Sequence, residues 1–185
     1  MKNQTQKKQS GFTLVELMIC VAVATILCAI SFPALGGLAH SSQSRAAQDA
    51  MLATLNLARN TAVTRQHEIV VCPSSDHLTC DNDMWWQNGW IAFEDTNHDG
   101  EHDVNEPLLQ TSQSLSGIAI ATSVDRKRIT YRADGATPGS NLTFTFCDAR
   151  GVNSAATIVV GNAGRPRQGA ASPEEAALAC AAVNR

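Results

Sequence analysis

The sequence has no excess of positive charge: 14 Lys and Arg stand against 17 Asp and Glu, and Lys2, Lys7 and Lys8 all precede Gly11. Without those three the count is 11 against 17. A nucleic-acid partner would therefore have to be met by a local patch and not by a global field. The sequence also has no Cys-x-x-Cys pair to indicate zinc or thiol redox chemistry. It shows no phosphate-cradling loop, no nucleophile–base arrangement and no histidine–metal cluster, and its five histidines are scattered. These absences argue against an enzyme and against any required cofactor.

What is present begins with one long apolar run. Residues 1–11 are polar and basic, and from Phe12 to Leu35 the chain is apolar except for Glu16. That run is long enough to cross a bilayer. The Ser10-Gly11 break precedes the apolar region, whereas a secretory signal places its cleavage site after it. Loss of residues 1–11 would therefore leave the anchor in place. A carboxylate near the end of a membrane helix costs about 3 kcal/mol and calls for a partner. A new amino terminus at Phe12 of a neighbouring subunit is a natural counter-charge for Glu16; a tolerated charge in an ordinary signal anchor is the plainer alternative. Pro33 removes a helical hydrogen bond and predicts a kink, with Gly36 and Gly37 softening the helix just beyond it.

The octapeptide Gly11-Phe12-Thr13-Leu14-Val15-Glu16-Leu17-Met18 resembles the class III signal of type IV pilins and type II secretion pseudopilins. That resemblance implies cleavage after Gly11 by a prepilin peptidase, N-methylation of Phe12, an assembly role for Glu16 and a helical stem packed among other pilins. It also implies residence in the bacterial inner membrane, head in the periplasm, before passage into a pilus filament at the cell surface. The stretch from Trp86 to Leu109 is similar to the GspH/FimT branch. It carries Gly89-Trp90-Ile91-Ala92-Phe93, an acidic loop and Glu106-Pro107-Leu108-Leu109. This narrows the expectation to a minor subunit of a type IV pilus or a type II secretion filament.

Beyond the membrane run, Ala47, Met51, Leu55, Ala58 and Ala62 recur at the spacing of one helical face. The stem is thus expected to continue as an amphipathic helix to about Arg65. Short β-type runs follow at 68–72, 89–93, 108–111, 118–123, 128–132, 141–147 and 155–160, separated by Gly, Asn, Asp and Pro clusters. The expected class is α+β, a long N-terminal helix packed on an antiparallel sheet. The expected divisions are a leader at 1–11, a membrane or filament-core segment at 12–37 and a head at 38–185. Ser172-Pro173-Glu174-Glu175 reads as the start of a short helix through Cys180.

Cys20 and Cys28 lie in the apolar run, and Cys72, Cys80, Cys147 and Cys180 in polar surroundings. Four cysteines in an exported head favour two disulfides, with three pairings open. Cys72–Cys80 and Cys147–Cys180 are preferred, the first closing a short loop and the second tying down the C-terminal tail; free buried thiols are the alternative.

Two segments could carry binding. Asp95, Asn97, Asp99, Asp103 and Glu106 take the oxygen-ligand positions of an EF-hand calcium loop around Gly100 at the sixth place. Against that, His102 occupies the eighth place and the flanks read as strands, so a metal-free acidic connection stays open. The second segment is Gly164-Arg165-Pro166-Arg167, where a residue between two arginines lets both side chains leave one ridge, and guanidinium forks suit phosphate. Arg150 and the run Arg126-Lys127-Arg128 add positive charge to this part of the chain. A Gly-Arg-x-Arg motif is similar to one associated with DNA binding in natural transformation within the family. DNA is accordingly one expected partner; a structural role among sister subunits is the other reading. Trp85, Trp86 and Trp90 offer stacking faces, although Trp90 is expected in the core.

Overall fold

The computed structural model describes residues 12–123, 126–139 and 141–183, and within these the side chains of residues 30–35 are also left undescribed. The leader expected at 1–11, Gly11 included, lies outside the described residues. Two compact units divide the chain, Met1–Leu38 and Ala39–Arg185. Helix α1, Leu14–Arg65, contributes to both.

In the first unit every described side chain from Phe12 to residue 29 is exposed, with Phe12 at 82% and Val23 at 51%. An apolar surface of this kind needs lipid or another protein against it. No helix among the described residues is long and apolar enough to cross a membrane. The apolar run in the sequence continues through residues 30–35, whose side chains are outside the description. The helix assignment is unbroken through Pro33, Gly36 and Gly37.

In the second unit α1 becomes a core element. Ala47, Met51, Leu55, Ala58 and Ala62 are each at most 2% exposed and form the stripe the heptad-like spacing predicts. Full burial of Met51 and Leu55 contributes about 2 kcal/mol each. Three of the five are alanines, so strands can approach the helix closely.

Eight strands cover that stripe in two antiparallel sheets of four. The first has the order β3-β2-β1-β5, built from β1 (Glu68–Pro73), β2 (Trp90–Asp95), β3 (Leu108–Ser112) and β5 (Ile129–Tyr131). The second is β4-β6-β7-β8, from β4 (Ile118–Thr122), β6 (Leu142–Asp148), β7 (Ala156–Val160) and β8 (Pro166–Ala170). The α+β antiparallel fold is the one expected, with its strands shared between two sheets. Period-two alternation divides β1 cleanly: Ile69 and Val71 join the main core with α1, while Val70 and Cys72 pack with Ile91 and Phe93 on the opposite face. In the main core Trp86 meets Phe144 edge-on at 4.9 Å, and the Trp90 indole N–H donates to Thr54 Oγ1 of α1 at 3.0 Å. Both tryptophans are fully buried, which removes them as stacking faces; only Trp85 is partly exposed.

Helix α2, Pro173–Cys180, starts as expected. The Ser172 hydroxyl accepts from the Glu175 N–H, and Glu175 reaches back to the Ser172 N–H. Both preferred disulfides are formed, Cys72–Cys80 and Cys147–Cys180, and the second pins α2 to β6. A cross-link spanning 33 residues restricts the unfolded chain by about 3–4 kcal/mol. Cys147→Ser/Cys180→Ser should therefore lower the free energy of reversible urea unfolding by about that amount, whereas Cys20→Ser/Cys28→Ser should leave it unchanged.

Candidate functional site

Arg165 and Arg167 are positioned by glycine. Gly161 to Gly164 forms a turn closed by the Gly164 N–H on the Gly161 carbonyl at 2.8 Å. Gly164 has φ +71, and a Cβ there would fall 2.0 Å from the Gly135 carbonyl oxygen. The turn is therefore seated directly on the 132–136 turn. Two further bonds hold it: the Thr137 N–H donates to Asn162 O at 2.9 Å and the Thr137 hydroxyl to Gly161 O at 3.0 Å. Gly135 is held in turn by α1, whose Arg59 Nε donates to its carbonyl at 3.1 Å. Gly164 is thus a spacer and not a contact residue.

The strands expected from the sequence end at 155–160, whereas Pro166 opens an eighth, β8, the edge strand that pairs with β7 through Arg167 opposite Val159. Proline is accepted at the first residue of an edge strand because no ladder N–H is required of it. Arg165, just before this strand, and Arg167, its second residue, line one open depression of about 280 Å³ with Gly161 and Ala163. Both are exposed, and neither has an ion pair or side-chain hydrogen bond among the described residues.

The other cations differ. The Arg150 guanidinium grips Asp148 at 2.7 and 2.9 Å, and the Arg150 backbone N–H donates to the same carboxylate. Burial alone would push the Asp148 carboxyl up. The Arg150 hydrogen bonds and charge outweigh it, helped by the Ser44 hydroxyl, and hold it below the usual range. Arg128 pairs with Glu101 at 2.7 Å and also reaches the Gly100 carbonyl, fastening the acidic loop. Arg126 donates to the Gly139 carbonyl. Lys127 is exposed, with no ion pair or side-chain hydrogen bond among the described residues. The patch of arginines seen in the sequence is therefore largely internal bracing, and Arg165 and Arg167 are the pair brought together with both heads open.

In the acidic loop between β2 and β3, Asp95 is 2% and Glu106 6% exposed. Asp95 Oδ2 accepts the Gly100 N–H at 2.9 Å, and Glu106 accepts from Thr96 and from the Asp103 N–H. Burial pushes the Asp95 carboxyl up, with the charges of Glu106 and Asp99 acting the same way, against hydrogen bonds from the Gly100 and His98 N–H groups. No group of three or more His, Cys, Asp or Glu side chains among the described residues is arranged to hold a metal ion.

The family described as type II transport protein GspH matches residues 47–164, well over half of the chain, and the prokaryotic N-terminal methylation motif matches residues 6–32. This chain belongs to the GspH family. It is a type IV pilin-like protein with the role of a minor pilin or pseudopilin, and the methylation motif marks it for processing and assembly with other pilins at the cell surface. Solved structures share the fold of this GspH-family chain. The type IV minor pilin FimU of Pseudomonas aeruginosa (strain PAO1) is 17% identical with a TM-score of 0.54. The match covers 76% of this chain and 94% of FimU in one crystal form, and 98% of FimU in another. The minor pseudopilin EpsH from the type 2 secretion system of Vibrio cholerae is 11% identical, with a TM-score of 0.50. Here the match covers 69% of this chain and 97% of EpsH. A search of the curated proteins finds no match.

Sequence reasoning missed the positioning residues Arg59, Gly135 and Thr137; the Asp134-Gly135 turn signal was visible, but its partner Gly164 lies in a distant segment. Gly164→Ala should destabilise the GspH-family head by more than about 2 kcal/mol, from left-handed strain and a backbone clash, read by urea unfolding. Asp148 has a depressed folded pKa, so its contribution is complete above about pH 4 and lost as pH falls through the folded value. Acid unfolding of Asp148→Asn should accordingly show less dependence on pH below 4 than the wild type.

Proposed function

We propose that the protein is a minor type IV pilin that binds extracellular DNA non-specifically through Arg165 and Arg167 and assists DNA uptake in natural transformation. The observation that carries this reading is the pair itself: two exposed guanidinium groups at the start of one edge strand, opening on one depression, with no carboxylate engaged among the described residues. An uncommitted guanidinium can present both donors of its fork to a phosphate without first breaking an internal bond. Lys127 is a further exposed cation of the head, without an ion pair among the described residues. Two contacts make weak binding, which suits a filament that meets DNA at several points, because linked sites raise the apparent affinity.

On this reading a prepilin peptidase removes residues 1–11 after Gly11, Phe12 is methylated, and the exposed stem is held first by the inner membrane and then by neighbouring pilins. Glu16 has no side-chain partner among the described residues, which leaves it open to the amino terminus of a neighbour. The rival reading is a purely structural, GspH-like subunit that primes the filament and uses the arginines as intersubunit salt-bridge donors. It is favoured by the internal engagement of Arg126, Arg128 and Arg150, which leaves the open positive surface small.

Fluorescence anisotropy of the full-length protein in neutral detergent, titrated against short duplex DNA, separates the two. With two phosphate contacts the log–log salt slope is about −1.8, so raising salt from about 50 to 200 mM should weaken binding roughly 12-fold. Arg165→Gln/Arg167→Gln should abolish that binding while leaving the melting temperature unchanged. No binding by the wild type at low salt, or equal binding by the variant, leaves the structural reading.

A further inference from the structure

The two sheets end in four edge strands, β3 and β5 in the first and β4 and β8 in the second, and three of the four are guarded. β4 is covered by the 84–87 segment. The Trp86 N–H donates to Ile120 O at 2.8 Å, the Thr122 N–H to Met84 O at 3.0 Å, and the Ile120 N–H to Gln87 Oε1 at 3.2 Å. β5 is three residues long, and β3 meets β2 through a register shift at Ala92 and Phe93. Covering, shortness and an irregular register are means by which a sheet avoids adding a further strand. β8 has none of them. Its register with β7 is unbroken over five residues, from Pro166 opposite Val160 to Ala170 opposite Ala156. Arg167, Gln168, Gly169 and Ala170 are exposed, and among the described residues 166–170 make no backbone hydrogen bond outside the β7 ladder.

In an antiparallel edge strand every second residue turns both its N–H and its C=O away from the neighbouring strand. β8 therefore shows a row of unmet donors and acceptors to solvent, beginning after Pro166, whose nitrogen has no hydrogen to give. Side-chain bulk screens little of that row, because Gly169 has no side chain and Ala170 only a methyl group.

Charge decides what the row accepts. Arg167 lies in β8 and Arg165 just before it, both exposed and without an ion pair among the described residues. The segment 164–171 holds these two arginines and no carboxylate. Pairing β8 with β8 of a second copy would thus bring together arginines from both chains with nothing to neutralise them, and like charges across a strand pair are destabilising. An acidic strand meets the same two guanidinium groups with the opposite sign.

We propose that β8 is a docking edge, to which another subunit of the filament, and not a second copy of this chain, adds an extended acidic segment as a fifth strand of the second sheet. Backbone hydrogen bonds along 167–170 supply the grip, and carboxylates beside Arg165 and Arg167 select the partner. The methylation motif marks the chain for assembly with other pilins, which brings such segments within reach. Because the docking groups belong to the backbone, the site stands apart from the DNA reading, although an added strand and a duplex would compete for the same arginines.

The test is amide hydrogen exchange, followed by NMR on the full-length, isotope-labelled protein in neutral detergent, with a terminally blocked hexapeptide of alternating Thr and Glu as the probe. At about ten times its Kd the peptide should slow exchange of the outward amides of 167–170 roughly 10-fold. The same peptide with N-methylated backbone amides, or with Lys in place of Glu, should give no slowing. Arg165→Gln/Arg167→Gln changes two exposed side chains, so it should keep the protection at saturation while raising the Kd about two- to fivefold for each ion pair lost. Duplex DNA has no strand to add and should leave exchange at 167–170 unchanged whether or not it binds, so the two readings fail separately. No slowing by the Glu peptide, or equal slowing by the N-methylated or Lys peptide, would overturn the proposal. Slowing without peptide that grows with protein concentration would also overturn it, by making β8 a contact between copies of this chain.

Discussion

The packing of one alanine-rich stripe of α1 against both sheets is the constraint on which the head depends. Ala47, Met51, Leu55, Ala58 and Ala62 place two long side chains among three short ones. The long ones fill the core and the short ones let the strands come close. Neither four-stranded sheet could bury its inner face without that helix, and the helix could not bury its stripe against a single sheet of this size. The polar bond from Trp90 to Thr54 fixes the register between β2 and the helix, so the apolar contact is not free to slide.

From that contact the positions of the arginines follow by short steps. Arg59, on the same part of α1, holds the Gly135 carbonyl; the Gly135 backbone receives Gly164 at a distance no side chain permits; and Gly164 leads into Arg165 and then β8, which carries Arg167. Electrostatics then separates the cations. Arg150 neutralises the buried Asp148, and Arg128 holds the acidic loop, so both have structural work within the head. Arg165 and Arg167 have no such partner among the described residues, and an uncommitted arginine pair is the kind of group that a phosphate backbone can engage at little reorganisation.

Much of this was legible in the chain. The Phe12–Glu16 signal, the helical stripe, seven of the strands, the Ser172 capping box and the short Cys72–Cys80 loop rest on local patterns, and local patterns survive in sequence, whereas Cys147–Cys180, 33 residues apart, was a preference among three pairings. The eighth strand did not, because Gly164, Pro166 and Gly169 are loop-like residues and only pairing with β7 makes 166–170 a strand. The division into two sheets was also hidden, since β1 pairs with β5 and β4 with β6 across intervening segments. Charge was the least legible feature. Arg126, Arg128 and Arg150 read as one basic patch with Arg165 and Arg167. Whether each guanidinium meets a carbonyl, a carboxylate or solvent is decided by folding alone.

The central claim is that the glycine-seated pair is open to a polyanion, whereas Arg128 and Arg150 are held by carboxylates. Arginine Nε–Hε NMR of the full-length, isotope-labelled protein in detergent, titrated with short duplex DNA, tests it residue by residue. The account predicts shifts at Arg165 and Arg167 with Arg128 and Arg150 unmoved. Shifts centred on Arg128 or Arg150, or none at the pair while DNA is bound, would contradict it.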